Sequence, residues 1–199
     1  MAAVFLDPGH GGNDAGGVAG DGNREADGNL RLAVILAPML LAAGHSVRLS
    51  REKDVAISSY ERVKMAWQWG ADLLLSLHID SAGNPGPYGH HVIHSIKDAP
   101  GERGHRLGLL LVQGIADATG RPPFARYGGP VWTRRSPILP WLDYYSIIRY
   151  AIARGIEAPV IIERGFMTNP DDRKLLFDDE YLVMQAGGIV MAVERYGIP

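Results

Sequence analysis

Apolar and polar positions along the chain switch between two periods. Largely apolar runs at 2–6, 71–77 and 159–163 are too short for helices and fit buried strands. Between them lie segments of helical period. Residues 25–43 carry one stripe of Leu30, Val34, Ala37 and Leu41, with Leu32, Leu36 and Leu40 beside it, a stop at Gly44 and a possible kink at Pro38. A short strand is expected at 45–50. Ser58 and Glu61 form a capping-box pattern that opens a helix running to about Trp69. Residues 89–95 alternate enough for a strand, and 102–119 form a helix burying Leu107, Leu110, Leu111 and Ile115. The stretch 120–140, with five Pro and several Arg, reads as an irregular flap. Residues 144–152 fit a helix or a strand with a turn, 165–169 turn, and 179–196 form a terminal helix. Strands alternating with helices predict a single α/β domain spanning 1–199. It is a three-layer sandwich with a largely parallel sheet of about six strands flanked by helices.

That pattern places chemistry. The first run leads through Asp7, Pro8 and Gly9 to His10, the second meets His78, and the third ends at Glu163. Parallel strands share one carboxyl edge, so the chain delivers two imidazoles and a carboxylate to one crevice. Glu25, at the start of the first helix, adds a second acid near the His10 loop. Two His and one carboxylate with an open position make a catalytic zinc site. Spacing alone does not decide which Glu binds metal. A helix-start ligand beside a flexible Gly loop adjusts to an ion, whereas a carboxylate on a central strand suits acid/base work, so the lean is to Glu25 as ligand and Glu163 as acid/base.

Composition narrows the alternatives. With no cysteine, disulfides, thiol catalysis and Cys-type zinc sites are excluded. The net charge of −2 argues against nucleic-acid or anionic-lipid binding, and no run approaches the ~18 apolar residues of a membrane span. Met1 is followed at once by a strand rather than by a leader. The expectation is therefore synthesis in the cytoplasm and action on the cell wall after release, or secretion if a leader was removed. A monomer is expected.

The ordered set Asp7-Pro8-Gly9-His10-Gly11-Gly12, Glu25 with Asn29 and Leu30, Ser50-Arg51, Asp54, Glu61-Arg62, Ala71-Asp72, Ser76-Leu77-His78, Pro159 to Glu163, Gly165-Phe166-Met167 and Asn169 carries a resemblance. From Val4 to Val193 the chain resembles the zinc-dependent N-acetylmuramoyl-L-alanine amidases of the type-3 family, found in bacterial autolysins and phage endolysins. The resemblance implies that His10, Glu25 and His78 hold one zinc ion and that Glu163 is the catalytic acid/base. It implies peptidoglycan as substrate, cut between the lactyl group of N-acetylmuramic acid and L-alanine, with a phage or prophage setting expected. Asp80, Trp67 and His91 stand where the family often has other residues. A zinc peptidase cutting within the stem peptide, or an inactive wall-binding relative, are the rival readings.

Other residues carry lesser expectations. Asp7 fits either orienting a ligand or forming the turn. His90 and His91 point to opposite strand faces and cannot chelate together; with His94 they are expected to face solvent or substrate. His45 and His105 are expected at the surface. Arg121, Arg126, Arg134 and Arg135 are read as solvated, or as gripping stem-peptide carboxylates. Trp132 and Trp141 are candidates for stacking on sugars, with core packing favoured for Trp141.

Overall fold

A computed structural model of the chain describes residues 1–125 and 128–197. It contains β1 (Ala3–Pro8), α1 (Glu25–Ala42), β2 (Ser46–Leu49), α2 (Ser59–Trp69), β3 (Leu73–Asp80), β4 (His91–Ile93), α3 (Arg103–Thr119), β5 (Val131–Trp132), α4 (Ser146–Ala153), β6 (Ala158–Phe166), α5 (Pro170–Leu176) and α6 (Asp179–Tyr196). The six strands form one sheet in the order β2-β1-β3-β6-β4-β5. β2, β1, β3 and β6 run parallel, and β4 reverses against β6. This is the α/β sandwich expected, with a largely parallel sheet between two helix layers. Among the described residues, no helix is long and apolar enough to cross a membrane.

Strand alternation sorts the core. On one face Leu6, Leu75, Leu77, Val160 and Ile162 pack under α1, α3 and α6. On the other, Phe5, Leu74, Ile93 and Ile161 pack under α2 and α4. The second face carries Asp7, Ser76, His78 and Glu163 further along the same strands. Polar chemistry therefore begins where that apolar face reaches the carboxyl edge.

The structure turns α1 away from its expected stripe. Leu32, Ala33, Leu36 and Leu40 are fully buried, whereas Val34 and Leu41 are 55% exposed. The helix is rotated so that Glu25 and Asn29, two turns and one turn before Leu32 respectively, also face inward. Pro38 is carried without ending the helix, which runs on to Ala42. The Ser58 cap is present, its hydroxyl accepting from the Glu61 N–H at 3.2 Å. Of residues 144–152, those from Ser146 onward form the helix α4, and the 120–140 flap contributes the edge strand β5. On the far side α3 and α6 cross backbone to backbone at Gly114 and Gly188. A Cβ on Gly188 would lie 2.7 Å from the Gly114 carbonyl carbon and 2.8 Å from Ile115 Cα.

Candidate metal centre

After β1 the chain turns sharply, and His10 takes φ 61°, a left-handed conformation that costs a non-glycine residue free energy. Two buried arginines hold the turn by its carbonyls. Arg51 donates to Pro8 O (2.9 Å) and Gly9 O (3.0 Å), and Arg62 to Pro8 O (2.8 Å) and His10 O (2.7 Å). Asp14 pairs with Gly11 through backbone bonds and places its carboxylate 2.9 Å from His10 Nδ1. That contact fixes the ring and aims Nε2 at Glu25, 3.3 Å from Oε1.

Glu25 is the first residue of α1, where the helix dipole favours a carboxylate. Its Oε2 accepts from Gly17 N–H (2.9 Å), and its Oε1 accepts from Ile79 N–H (3.0 Å) and lies 3.0 Å from His78 Nδ1. His78 sits inside β3, not past its end as expected, because the strand continues to Asp80. Its ring lies flat against Gly9, where a Cβ would come within 2.8 Å of Nδ1 and closer to Cε1 and Nε2. Gly16 serves the other side; a Cβ there would meet Glu25 Oε2 at 2.6 Å and His10 Cδ2 at 2.7 Å.

One atom each from His10, Glu25 and His78 lies within 4.8 Å of the others, and the two rings meet at 79° with centroids 4.9 Å apart. Among the described residues no other His, Cys, Asp or Glu set converges this tightly. Burial alone would raise Glu25, but hydrogen bonds from His10 and His78 outweigh it and hold the carboxyl far below the usual range. The same bond to Glu25 pushes His10 up to about 9 against the opposing effect of burial. The carboxylate thus draws a cation to this point, and with two imidazole donors the set fits a divalent metal.

Glu163 pairs with His78 across β3 and β6, on the same face. It too lies within its strand, which runs on to Phe166. Its residue is 9% exposed and Oε2 has no hydrogen-bond partner. Burial, then the charges of Asp80 and Glu25, push its carboxyl well above the ordinary value, while Arg164 pulls the other way. Glu163, His10 and His78 line one cavity of about 190 Å³, with Arg62, Tyr145, Ser146 and Ile147 on its other walls.

Behind the site a buried polar chain connects to α6. Gln185 accepts from Arg164 Nη1 at 3.3 Å, Arg164 Nη2 donates to Asn29 Oδ1 at 3.1 Å, and Asn29 Nδ2 reaches Gly9 O at 3.5 Å. Burial lowers Arg164 to about 10, with Glu25 opposing.

Several expectations are corrected. Asp7 neither touches a ligand nor makes the turn. It is 1% exposed and accepts from Ser50 and Ser76 hydroxyls (both 2.7 Å) and Arg62 (2.6 Å), tying β1, β2, β3 and α2 together. His90, His91 and His94 are buried, not solvent-facing, because α3 covers one side of β4 and an aromatic group the other. His90 Nε2 bonds Val112 O (2.9 Å), and His91 stacks on Trp132 at 5.6 Å. The tryptophans exchange places: Trp132 is 6% exposed in the core and Trp141 is 62% exposed. Arg121 is paired with buried Asp172 at 2.6 Å, and Arg135 donates to Pro140 O at 2.9 Å. Arg126 lies outside the described residues. Asp14, Arg51, Arg62, Asn29 and Arg164 acquire positioning roles that no spacing rule assigns.

Comparison with known proteins agrees with this arrangement. A family model described as N-acetylmuramoyl-L-alanine amidase matches residues 4–195. A sporulation-specific N-acetylmuramoyl-L-alanine amidase of Bacillus subtilis is 41% identical over 88 residues, 43% of this chain and 34% of that protein. AmiA of Escherichia coli is 42% identical over 82 residues, 41% of this chain and 28% of that protein. This chain therefore aligns with about a third of the length of these curated relatives. The crystal structure of an N-acetylmuramoyl-L-alanine amidase from Clostridium difficile 630 superposes with a TM-score of 0.81 at 27% identity, covering 98% of this chain and 96% of that one. With the family match running from β1 to the end of α6 and the superposition covering 98% of the chain, the chain belongs to the type-3 N-acetylmuramoyl-L-alanine amidase family.

Proposed function

We propose that this chain hydrolyses the amide between the lactyl group of N-acetylmuramic acid and the L-alanine of the stem peptide, using one zinc ion held by His10, Glu25 and His78. The observation carrying the reading is the meeting of those three side chains beside an unpartnered, buried Glu163 in a single cavity. Three protein ligands leave an open coordination position, as hydrolytic zinc sites require. When bound, zinc supplies a Lewis acid for the carbonyl and lowers the pKa of its water to roughly 7.

The protein's own groups perform the proton work. Glu163, raised by burial toward neutrality, takes a proton from the attacking water and delivers it to the departing alanine nitrogen. Asp14 keeps the His10 ring oriented, and the Arg51–Arg62 clasp keeps the His10 backbone in its strained turn. Ile57, Ile147 and Ile161 add apolar lining to the same cavity.

The test is mass spectrometry of muropeptides digested with the purified protein. A new L-alanine amino terminus on peptides released from intact glycan is expected, abolished by EDTA and restored by zinc. A cut between two amino acids instead would establish a stem-peptide peptidase, and zinc binding without any cleavage a wall-binding relative. The setting proposed is lysis by a phage or prophage product, checked by whether the protein clears purified walls to completion.

A further inference from the structure

We infer that Arg134 forms a subsite for a carboxylate of the stem peptide, which makes the protein discriminate free-acid from amidated peptides. The inference rests on the muramyl-peptide reading above. Tyr145 lines the same cavity as His10, His78 and Glu163. Its phenol feels the charge of Arg134 together with those of Glu163 and Asp80, and its ring packs against the Tyr144 ring that Arg134 covers. The phenol therefore stands between the acidic centre and a guanidinium.

Arg134 is exposed yet held in place. Its guanidinium lies 3.8 Å from the centre of the Tyr144 ring, and that ring packs edge-on to Tyr145 at 5.1 Å. The backbone beneath is braced as a narrow hairpin. Tyr144 N–H donates to Arg134 O (2.8 Å), Ser136 N–H to Leu142 O (2.9 Å), and Arg135 bridges to Asp143. Asp143 in turn accepts from Ser95 Oγ (2.9 Å) and Ile96 N–H (2.7 Å) beyond β4. A cation fixed this way loses little side-chain freedom on binding an anion, and guanidinium geometry matches a carboxylate.

The substrate chemistry supplies the anion at the right reach. Past the scissile amide comes L-alanine, then D-glutamate, which is linked through its side-chain carboxyl and so leaves its α-carboxylate free. That group lies about two residues, roughly 7 Å, from the reacting carbonyl. A tyrosyl side chain spans a comparable length, and Tyr145, whose ring packs on the Tyr144 ring beneath Arg134, lines the Glu163 cavity.

The experiment compares two disaccharide muropeptides that differ at one group, the α-carboxylate of D-glutamate or its α-amide, in the parent, Arg134→Gln and Arg134→Lys. Losing one charge-assisted contact predicts that the parent favours the free acid by about tenfold in kcat/KM, chiefly through KM. Arg134→Gln should cleave both at the amide's rate, and Arg134→Lys should keep part of the preference. Equal cleavage of both substrates by the parent overturns the inference, as does an Arg134→Gln protein that slows both alike or discriminates through kcat alone. A parent that cuts neither at the lactyl amide overturns the muramyl-peptide reading itself, which sets that failure apart from the others.

Discussion

Replacing Gly9 by alanine separates metal binding from folding. Gly9 has no left-handed φ, so alanine meets no backbone penalty there. The nearest obstacle is the His78 ring, which the new Cβ would meet at 2.8 Å from Nδ1 and closer at Cε1 and Nε2. Ordinary contact begins at 3.4 Å, so the nearest ring atoms must retreat by about 1 Å. The ring cannot tilt freely, since Nδ1 faces Glu25 at 3.0 Å. Metal–ligand distances tolerate only about 0.2 Å. Displacement by several times that amount removes His78 from a three-ligand set. The expected result is a zinc affinity at least 100-fold weaker, scaled from the 10–100-fold typical of disturbing a ligand's support. The assay is competition against a chromophoric chelator, with circular dichroism and thermal unfolding of the metal-free protein alongside. Gly9→Ala should keep its secondary structure and bind zinc as poorly as His78→Ala. Parent-like zinc affinity in Gly9→Ala would refute the packing argument, because the ring would then have room the geometry denies it.

Other outcomes follow from the same coordinates. Asp14→Asn should weaken zinc binding by about 10–100-fold while shifting unfolding by less than about 0.5 kcal/mol, as its side chain is 64% exposed and, besides the His10 ring, meets only the Gly16 N–H at 3.2 Å; titration calorimetry and a denaturant melt check both. Glu163→Gln should retain zinc, by metal analysis, and lose about 10²–10⁴-fold in turnover. Because burial raises the Glu163 carboxyl, its contribution to stability is present below about pH 4.3 and is lost as pH rises through the raised value. Metal-free Glu163→Gln should therefore match the parent at pH 4 and exceed it at pH 8 in urea unfolding. Asp7→Asn strands buried Arg62 and should cost about 3–5 kcal/mol, a fall on the order of 10 °C in Tm. Burial opposes but Arg62 and two hydroxyls outweigh it, so Asp7 is depressed and stabilises the fold above about pH 3.9, losing that contribution as pH falls further. The variant should show a shallower acid decline below pH 4 by thermal unfolding across pH.

The sheet and the convergence of His10, His78, Glu25 and Glu163 were readable because short apolar runs and strand ends are local signals with one geometric consequence. The α1 stripe was not, since two adjacent rows of that helix are both apolar and hydrophobicity cannot rank them; the need of Glu25 and Asn29 to face inward sets the rotation. α5 left its signature in Asn169, Pro170, Asp171 and Asp172, a cap, a proline at the first helical position and acids in the first turn, which a turn reading of 165–169 obscured. The burial of Trp132 follows from β5 pairing beside β4, and that of His90, His91 and His94 from α3 and the aromatic group covering β4, long-range contacts with no local mark. Arg51, Arg62 and Arg164 are buried charges whose partners are mostly carbonyls and amides, and charge patterning along a chain does not reveal such partners.

The glycine crossing of α3 and α6 gives the cleft a dependency on the opposite surface. α6 carries Gln185, and through Arg164 and Asn29 its position is handed on to the Gly9 carbonyl, the residue before His10. A single methyl at Gly114 or Gly188 pries the helices apart, and the shift travels down this line to the turn that carries His10. Variation on the rear surface thereby acts as a tuning screw for the cleft, and a mutational survey confined to the front would miss it.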